Sequence, residues 1–241
     1  MIVLAIDTST PNAALALSRN GRAPRIAPLP AGTGTSNRHG QGLMPALAEL
    51  LAAERLKVAD LDAVAVGLGP GSYTGLRIGL TAAKALAYAG SIPLVALDSL
   101  EAIARNAPDD AAEVVVVVDA QRGDAYVARF TRSEPGLPPR RTGPTTIEPV
   151  DAWAASLAAG TFVLGPSLPR LLEAWPGSLR LGTHEQGHPD PATLIPLAIE
   201  AIEAGRTLDP FFVEPIYMRR SAAEDQWDRR KDRPPAASVP R

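Results

Sequence analysis

A glycine-rich segment, GLGPGSYTGLRIG at residues 67–79, constrains the fold more than any other feature of this sequence. The apolar run 63–68 is typical of a buried strand, and the alanine- and leucine-rich run 80–89 is typical of a helix. The glycines let the backbone turn sharply and pass close to another group, and Ser72 and Thr74 are candidate helix N-caps. The segment therefore predicts a strand–loop–helix unit. Two interpretations stay open, an anion site at the helix N-terminus and a tight connection without a ligand.

The spacing of this segment does not match two common phosphate-binding motifs. A P-loop places Lys directly before Ser or Thr, where it reaches the outer phosphates, but Gly71 precedes Ser72 here. The dinucleotide pattern G-x-G-x-x-G also fails, because it meets Ser72 when it starts at Gly67 and Thr74 when it starts at Gly69. Dinucleotide binding is therefore disfavoured.

The composition limits the class of protein. With 241 residues, 46% of them hydrophobic, the chain is long enough for about two compact lobes. It has no cysteine, so disulfides and thiolate metal sites are excluded, and its net charge of −2 gives no general attraction to nucleic acid. The apolar run 2–6 stops at Asp7 and is too short for a signal peptide or a membrane span. We expect a cytoplasmic protein with no membrane partner.

Breaker residues divide the chain. Pro108-Asp109-Asp110 interrupts the regular pattern and marks the predicted lobe boundary. We therefore expect an N-terminal lobe at residues 1–108 that carries the partner-binding helices, and a smaller C-terminal lobe at residues 109–218. Residues 219–241 mix charges, prolines and small side chains, which predicts a disordered tail. In the first lobe, leucines at helical spacing predict a helix that holds Pro45 in its first turn.

Two segments, one in each half, repeat the same pattern. One apolar run typical of a buried strand ends at Asp7 and another ends at Asp119. In both cases a return strand begins five residues later. These strand–Asp–turn–strand units suggest a duplicated architecture with one carboxylate at each hairpin mouth, facing a shared cleft. Coincidence is the alternative, since aspartate is common in turns.

The two hairpins resemble those of the actin-like ATPase (ASKHA) superfamily, and the chain as a whole resembles the TsaB (YeaZ) family. The matching stretches are AIDTST at residues 5–10, GPGSYTGLRIG at residues 69–79, DAQRGDAY at residues 119–126 and EPIYMR at residues 214–219. The resemblance implies an α/β, two-lobed ASKHA fold with duplicated lobes of the βββαβα type, of which the second is reduced.

The same resemblance implies a role in bacterial tRNA modification. A TsaB-like protein is expected to be a non-catalytic scaffold and dimerisation subunit of the tRNA threonylcarbamoyladenosine transferase complex, where it binds and activates a TsaD-like catalytic subunit. A TsaE-like ATPase and the tRNA are the further partners in that complex. The free chain is expected to be either a monomer or a homodimer.

Substitutions at two family positions agree with a non-catalytic role. Where a TsaD-like helix carries two metal-binding histidines, this chain has Ser99 and Ile103, which cannot supply imidazole ligands. Where the superfamily has a Gly-Gly loop against adenosine, this chain has Gly165-Pro166, and proline lacks an N–H and fixes φ. We expect no metal and no resident cofactor, with weak ATP or ADP binding at the complex interface left open.

The candidate site residues form three groups. The candidate phosphate-facing residues are Asp7, Thr8, Ser9, Ser72 and Asp119. The candidate structural residues of the loop are Gly69, Gly71, Thr74 and Arg77. The candidate partner interface combines a leucine stripe on one helix with small residues at every fourth position of the next, namely Leu43, Leu47, Leu50, Leu51, Gly75, Gly79, Ala83 and Ala87. The alternative is that both stripes pack on the chain's own sheet.

Two rival functions stay open. The segment HEQGH at residues 184–188 fits the H-E-x-x-H signature of zinc metallopeptidases, but that chemistry needs a helix, and Gly182, Gly187 and Pro189 oppose one. The other rival is a small-molecule kinase of the ASKHA superfamily, which requires a catalytic base in the cleft and an intact adenosine loop.

Overall fold

The computed structural model describes residues 1–27, 29, 37–171, 173 and 175–219, and for residues 37–41 it describes the backbone only. Its strands form two mixed sheets. The first sheet comprises β1 (Ile2–Asp7), β2 (Ala14–Arg19), β3 (Arg25–Ile26), β4 (Ala63–Gly67), β5 (Leu94–Leu97) and β12 (Thr207–Leu208), in the order β12-β5-β4-β1-β2-β3. The second comprises β6 (Glu113–Gln121), β7 (Asp124–Thr131), β8 (Arg140–Arg141), β9 (Thr146–Pro149), β10 (Phe162–Leu164) and β11 (Arg180–Leu181), in the order β11-β10-β6-β7-β8, with β9 also on β7.

Helices cover the sheets. They are α1 (Asn37–Ala53), α2 (Tyr73–Gly90), α3 (Ser99–Ala104), α4 (Val150–Ala155), α5 (Leu168–Leu171) and α6 (Pro191–Glu203), with 3-10 turns at Val58–Asp60 and Glu185–Gly187. Within the ranges that the structure describes, none of the helices combines the length and the apolar character that crossing a membrane requires.

Each sheet is built around a strand that contains one of the two repeated aspartates. β1 pairs antiparallel with β2, with Asp7 opposite Ala14, and parallel with β4 on its other side. β6 likewise pairs antiparallel with β7, with Asp119 opposite Ala125, and parallel with β10. The predicted α/β class and its duplicated strand–Asp–turn–strand units are therefore confirmed.

The two faces of the first sheet carry different helices. Successive side chains of a strand point to opposite faces, so Leu4 and Ile6 pack with α1 and α2, whereas Val3 and Ala5 pack with α6. Helix α3 lies between the two sheets. Its Leu100 and Ile103 join the core of the second sheet, while Ala102 joins the α6 core.

Chain order and sheet membership differ near the C-terminus. Helix α6 follows the second sheet in sequence but packs on β1, β2 and β5 of the first, and β12 pairs antiparallel with β5. Residues 191–208 thus complete the first sheet. The lobe boundary at residue 108 stays a prediction. Residues 191–208 follow this boundary in the sequence but pack on the first sheet.

The structure also bears on the first helix and on the predicted C-terminal tail. Pro45 lies inside α1, which begins at Asn37, so the prediction that the helix starts near Pro45 is wrong. Proline costs that helix one backbone hydrogen bond, and the buried leucines on the same helix offset the cost. Of the predicted tail, residues 220–241 lie outside the described residues.

Candidate functional site

The carboxylate of Asp7 is buried at the mouth of the first hairpin. The residue is only 1% exposed, and its Oδ1 accepts a hydrogen bond from the Ser9 backbone N at 2.8 Å. Burial raises the pKa of Asp7, although hydrogen bonds from Ser9 and Ser99 act in the opposite direction. A Cβ at Gly67 would collide with Asp7 Oδ2 and the Ser99 hydroxyl. Gly67 is therefore required to make room for this carboxylate.

The glycine-rich segment is seated directly on the same hairpin. Ser72 N donates to the Ser9 carbonyl at 2.7 Å, and the Thr8 hydroxyl donates to the Gly75 carbonyl at 2.7 Å. The glycines at which a Cβ would collide with Thr8 or Ser9 are Gly71, Gly75 and Gly79. The group that these glycines approach so closely is thus the chain's own hairpin mouth.

The candidate phosphate-facing residues divide between two places. Asp7, Thr8 and Ser9 are buried beneath the loop. Ser72 is exposed, and its Oγ caps α2 by accepting from Gly75 N at 3.2 Å. Asp119 lies in the other sheet and is half-buried, with Oδ1 accepting from Gln121 N at 2.7 Å. The structure brings the first four together and leaves Asp119 at the second hairpin, and a role toward phosphate stays a prediction for all five.

The candidate structural residues of the loop support its path. Gly69 adopts a φ of +90°, which favours glycine, and its N–H donates to the Ser99 hydroxyl at 3.0 Å. Gly71 lies against Ser9 as described above. Thr74 is exposed in the first turn of α2, so of the two predicted caps the structure uses Ser72.

Arg77 lies in an aromatic cluster that the sequence did not reveal. Its guanidinium carbon is 4.1 Å from the Tyr73 ring centroid, and its Nε donates to the Tyr217 hydroxyl at 2.9 Å. The rings of Tyr73 and Tyr217 are 5.0 Å apart. The i, i+4 spacing of Tyr73 and Arg77 was a usable signal for half of this contact, but nothing local marks Tyr217 as its partner.

Residues 209–218, here called the C-terminal strap, run along α2. The strap is tied down where Lys84 Nζ donates to the Val213 carbonyl at 3.0 Å and where Ile216 N donates to the Leu68 carbonyl at 2.9 Å. Phe211 packs edge-on against Tyr88, with ring centroids 5.5 Å apart. The strap thus places a row of aromatic rings beside α2.

The candidate partner residues are all buried in this chain. Leu43, Leu47, Leu50 and Leu51 of α1 and Gly75, Gly79, Ala83 and Ala87 of α2 lie inward, and Ala83 is 0% exposed. The stripes hold the two helices against the first sheet. The outward-facing residues of these helices include Met44, Ala48 and Ala52 on α1 and Thr81, Ala85 and Tyr88 on α2. Contact of the eight candidate residues with a partner stays a prediction.

The HEQGH segment forms a single 3-10 turn at Glu185–Gly187, not a helix. Residues 1–27, 29, 37–171, 173 and 175–219 contain no group of three His, Asp or Glu side chains placed to hold a metal. A Cβ at Gly187 would collide with the Gly165 carbonyl. The turn therefore lies on Gly165-Pro166, the pair that the family resemblance places at the position of an adenosine loop.

Comparisons with known proteins agree with this architecture. A family model described as TsaD: tRNA N6-adenosine threonylcarbamoyltransferase matches residues 31–136. The tRNA threonylcarbamoyladenosine biosynthesis protein TsaB of Escherichia coli (strain K12) is 28% identical over 233 residues, which cover 92% of this chain and 96% of that protein. The protein of the same description from Bacillus subtilis (strain 168) is 38% identical over 130 residues, which cover 54% and 55%. YeaZ from Pseudomonas aeruginosa superposes with a TM-score of 0.72 at 25% identity and covers 90% of this chain and 99% of that one.

Proposed function

This chain belongs to the TsaB (YeaZ) family, and on that premise we propose that it is the non-catalytic scaffold subunit of a tRNA threonylcarbamoyladenosine transferase complex. In this role it binds and activates a TsaD-type catalytic subunit. The family accounts for membership in tRNA threonylcarbamoyladenosine biosynthesis.

The hairpin mouth supports assembly in place of catalysis. Asp7, which a kinase of this superfamily would expose to its nucleotide, is buried under the chain's own glycine-rich segment. Ser99 and Ile103, at the positions of the TsaD-like histidines, are fully buried, and the Ser99 hydroxyl accepts from Gly69 N. Asp7 Oδ2 has no hydrogen-bond partner, but the carboxylate and the Ser99 hydroxyl are both closed off from solvent. The burial of these two groups under the glycine-rich segment is the observation that carries the proposal, and it also weighs against the kinase alternative.

The outward face of α1 and α2 supports docking of a partner helix pair. Met44 and Tyr88 stand out as large exposed apolar side chains there, Tyr88 at 68% exposure. The same two helices also expose small side chains, Ala48, Ala52 and Ala85, which let helix axes approach to the short end of the usual range of about 8–10 Å. Exposed apolar surface of this kind marks protein–protein contact sites.

The C-terminal strap extends this face. Phe211 and Phe212 are exposed, Phe212 at 82%, and the ring of Phe211 packs edge-on against Tyr88 of α2. Aromatic side chains are enriched at protein interfaces because they bury a large area at low entropic cost. We infer that the catalytic subunit covers these rings together with the helix face.

The further partners follow from the same assignment. A TsaE-like ATPase and the tRNA meet this subunit through the complex, since a net charge of −2 gives the chain no electrostatic attraction of its own to RNA. Weak ATP or ADP binding belongs to the subunit boundary. A homodimer of the free chain uses the same exposed helices, so that self-association and binding of the catalytic subunit exclude one another.

Size-exclusion chromatography of the chain mixed with the TsaD-type subunit of the same genome tests the docking face. Ala85→Glu places a charge on the exposed side of α2 and should abolish co-elution. Ala152→Glu makes the same change on exposed helix α4 of the second sheet and should leave co-elution intact. Co-elution of a folded Ala85→Glu variant at the wild-type level rejects the proposed face.

A further inference from the structure

Two histidine rings meet at the boundary between the two sheets. His184 is exposed and His188 is buried at the two ends of the 3-10 turn. Their Nε2 atoms are 3.5 Å apart, and the ring centroids are 4.8 Å apart at an interplanar angle of 60°. The proposed scaffold role does not use this pair.

The hydrogen bonds of Thr10 fix the tautomer of His188. The Thr10 hydroxyl donates its single proton to the Asn12 carbonyl at 3.0 Å. The 2.9 Å contact between Thr10 Oγ1 and His188 Nδ1 is therefore a hydrogen bond in which Nδ1–H donates. The proton of the neutral ring sits on Nδ1, so the lone pair is on Nε2 and points at His184.

The spacing of the two Nε2 atoms matches that of two ligands on one metal ion. Zinc binds imidazole nitrogen at about 2.0–2.1 Å in tetrahedral geometry, which separates two such nitrogens by about 3.3–3.4 Å. The observed 3.5 Å lies close to that value. A histidine ligand typically donates its other ring N–H to a fixed acceptor, which is what His188 does toward Thr10.

We propose that His184 and His188 bind one divalent transition-metal ion of the zinc class through their Nε2 atoms, with water as the remaining ligands. Imidazole suits zinc, nickel and copper, and the chain has no cysteine to compete for them.

The surroundings of the turn indicate a structural role for the metal. Asn106, just after α3, donates through Nδ2 to the Gln186 carbonyl at 2.9 Å and to the His188 carbonyl at 2.7 Å. Thr10 of the first hairpin holds the His188 ring. A bound ion adds the exposed His184 to this set, and it thereby fastens the turn over Gly165-Pro166 against the first sheet.

Zinc titration of the untagged full-length chain by calorimetry tests this site. We expect one Zn²⁺ per chain, with affinity about tenfold weaker or worse in His184→Ala and about 10–100-fold weaker in Thr10→Val. The second variant removes the hydroxyl that accepts from His188 Nδ1, together with its hydrogen bond to the Asn12 carbonyl. His39→Ala changes the one remaining histidine and should bind as the wild type does.

The test does not depend on the catalytic subunit, so its outcome is separate from that of the scaffold proposal. His184 is exposed, and circular dichroism should show a folded His184→Ala variant. His188→Gln, if folded, should lose binding as well. Absence of saturable zinc binding by the wild type, equal binding by His184→Ala, or loss of binding in His39→Ala would each overturn the site.

Discussion

The hydroxyl of Thr8 donates a 2.7 Å hydrogen bond to the carbonyl of Gly75, across 67 positions of sequence. The contact joins the first hairpin to the first turn of α2, and it is made inside the core, with both partners buried. It requires a glycine on the helix side, because a Cβ at Gly75 would collide with the Thr8 carbonyl.

Gly75→Ala should therefore lower the free energy of unfolding by about 1–3 kcal/mol, the usual cost of overpacking a core. Gly143→Ala is the matched control, since a Cβ at Gly143 meets nothing within 4 Å. Its expected effect is neutral or slightly stabilising. Urea denaturation of the two variants measures the difference, and equal stabilities would show that the close approach has no energetic consequence.

Asp7→Asn should raise the free energy of unfolding at pH 7. The pKa of Asp7 is raised by burial, so the folded state binds its proton more tightly than the unfolded state does. Between the unfolded value of 3.8 and the raised folded pKa, this group makes stability fall as pH rises, by about 1.4 kcal/mol for each unit of elevation. The advantage of asparagine should shrink as the pH is lowered through this window.

Asp110→Asn is the control, because the pKa of Asp110 is shifted in the opposite direction and its effect on stability has the opposite pH dependence. The pKa of Asp110 is lowered by its hydrogen bond with Arg180, so its contribution is present above the unfolded pKa and is lost as pH falls through the folded value. Thermal denaturation at several pH values follows both variants. An Asp7→Asn variant that is less stable than the wild type at every pH contradicts the prediction.

Arg105→Gln should lower the free energy of unfolding by about 2 kcal/mol. Arg105 joins α3 to α6 through two bonds to Glu200, at 2.8 and 2.7 Å, and a third to Glu101 at 3.1 Å. The expected loss is smaller than for a fully buried pair because the Glu200 side chain is 37% exposed. Arg180→Gln, which breaks a pair that is exposed on both sides, should change stability by less than about 1 kcal/mol. Guanidinium denaturation compares the two, and equal losses would argue against the α3–α6 link.

Phe212→Ala should weaken the complex with the catalytic subunit by about tenfold or more while changing stability by less than about 0.5 kcal/mol. Phe212 is the most exposed large apolar residue of the C-terminal strap, so its removal costs the free chain little. Leu137→Ala removes an exposed apolar side chain near the second sheet and serves as the control. Binding is measured by calorimetry, and an unchanged dissociation constant for Phe212→Ala removes the strap from the interface.

Local patterns predicted the elements of this fold but not their neighbours. The apolar run before Asp7 and the glycines after residue 66 were enough to predict the first hairpin and the strand–loop–helix unit. What the glycines approach was open, because the spacing of glycines records close contact and not the identity of the group contacted. The structure places the chain's own Thr8 and Ser9 against Gly71, Gly75 and Gly79, and an anion site at the start of α2 stays a prediction.

The outward face and the returning segment were harder to predict for a related reason. The periodicity of Leu47 and Ala83 shows which side of each helix is apolar, and burial on the chain's own sheet gives the same periodicity as burial against a partner. The docking of α6 on the first sheet packs Leu194 and Ala198 against Val3 and Ala5, residues that stand far apart in the sequence. Contacts at such separations leave no local trace in one sequence.

The return of α6 and β12 to the first sheet bears on how the chain is made. A ribosome releases β1, β2, β4 and β5 long before residues 191–208 emerge, and during that interval Val3 and Ala5 have no helix over them. The first sheet therefore stays unfinished until residues 191–208 have been made, although β1 to β5 are translated before the whole of the second sheet. Until then, the nascent polypeptide presents a bare apolar face to the chaperones around the exit tunnel.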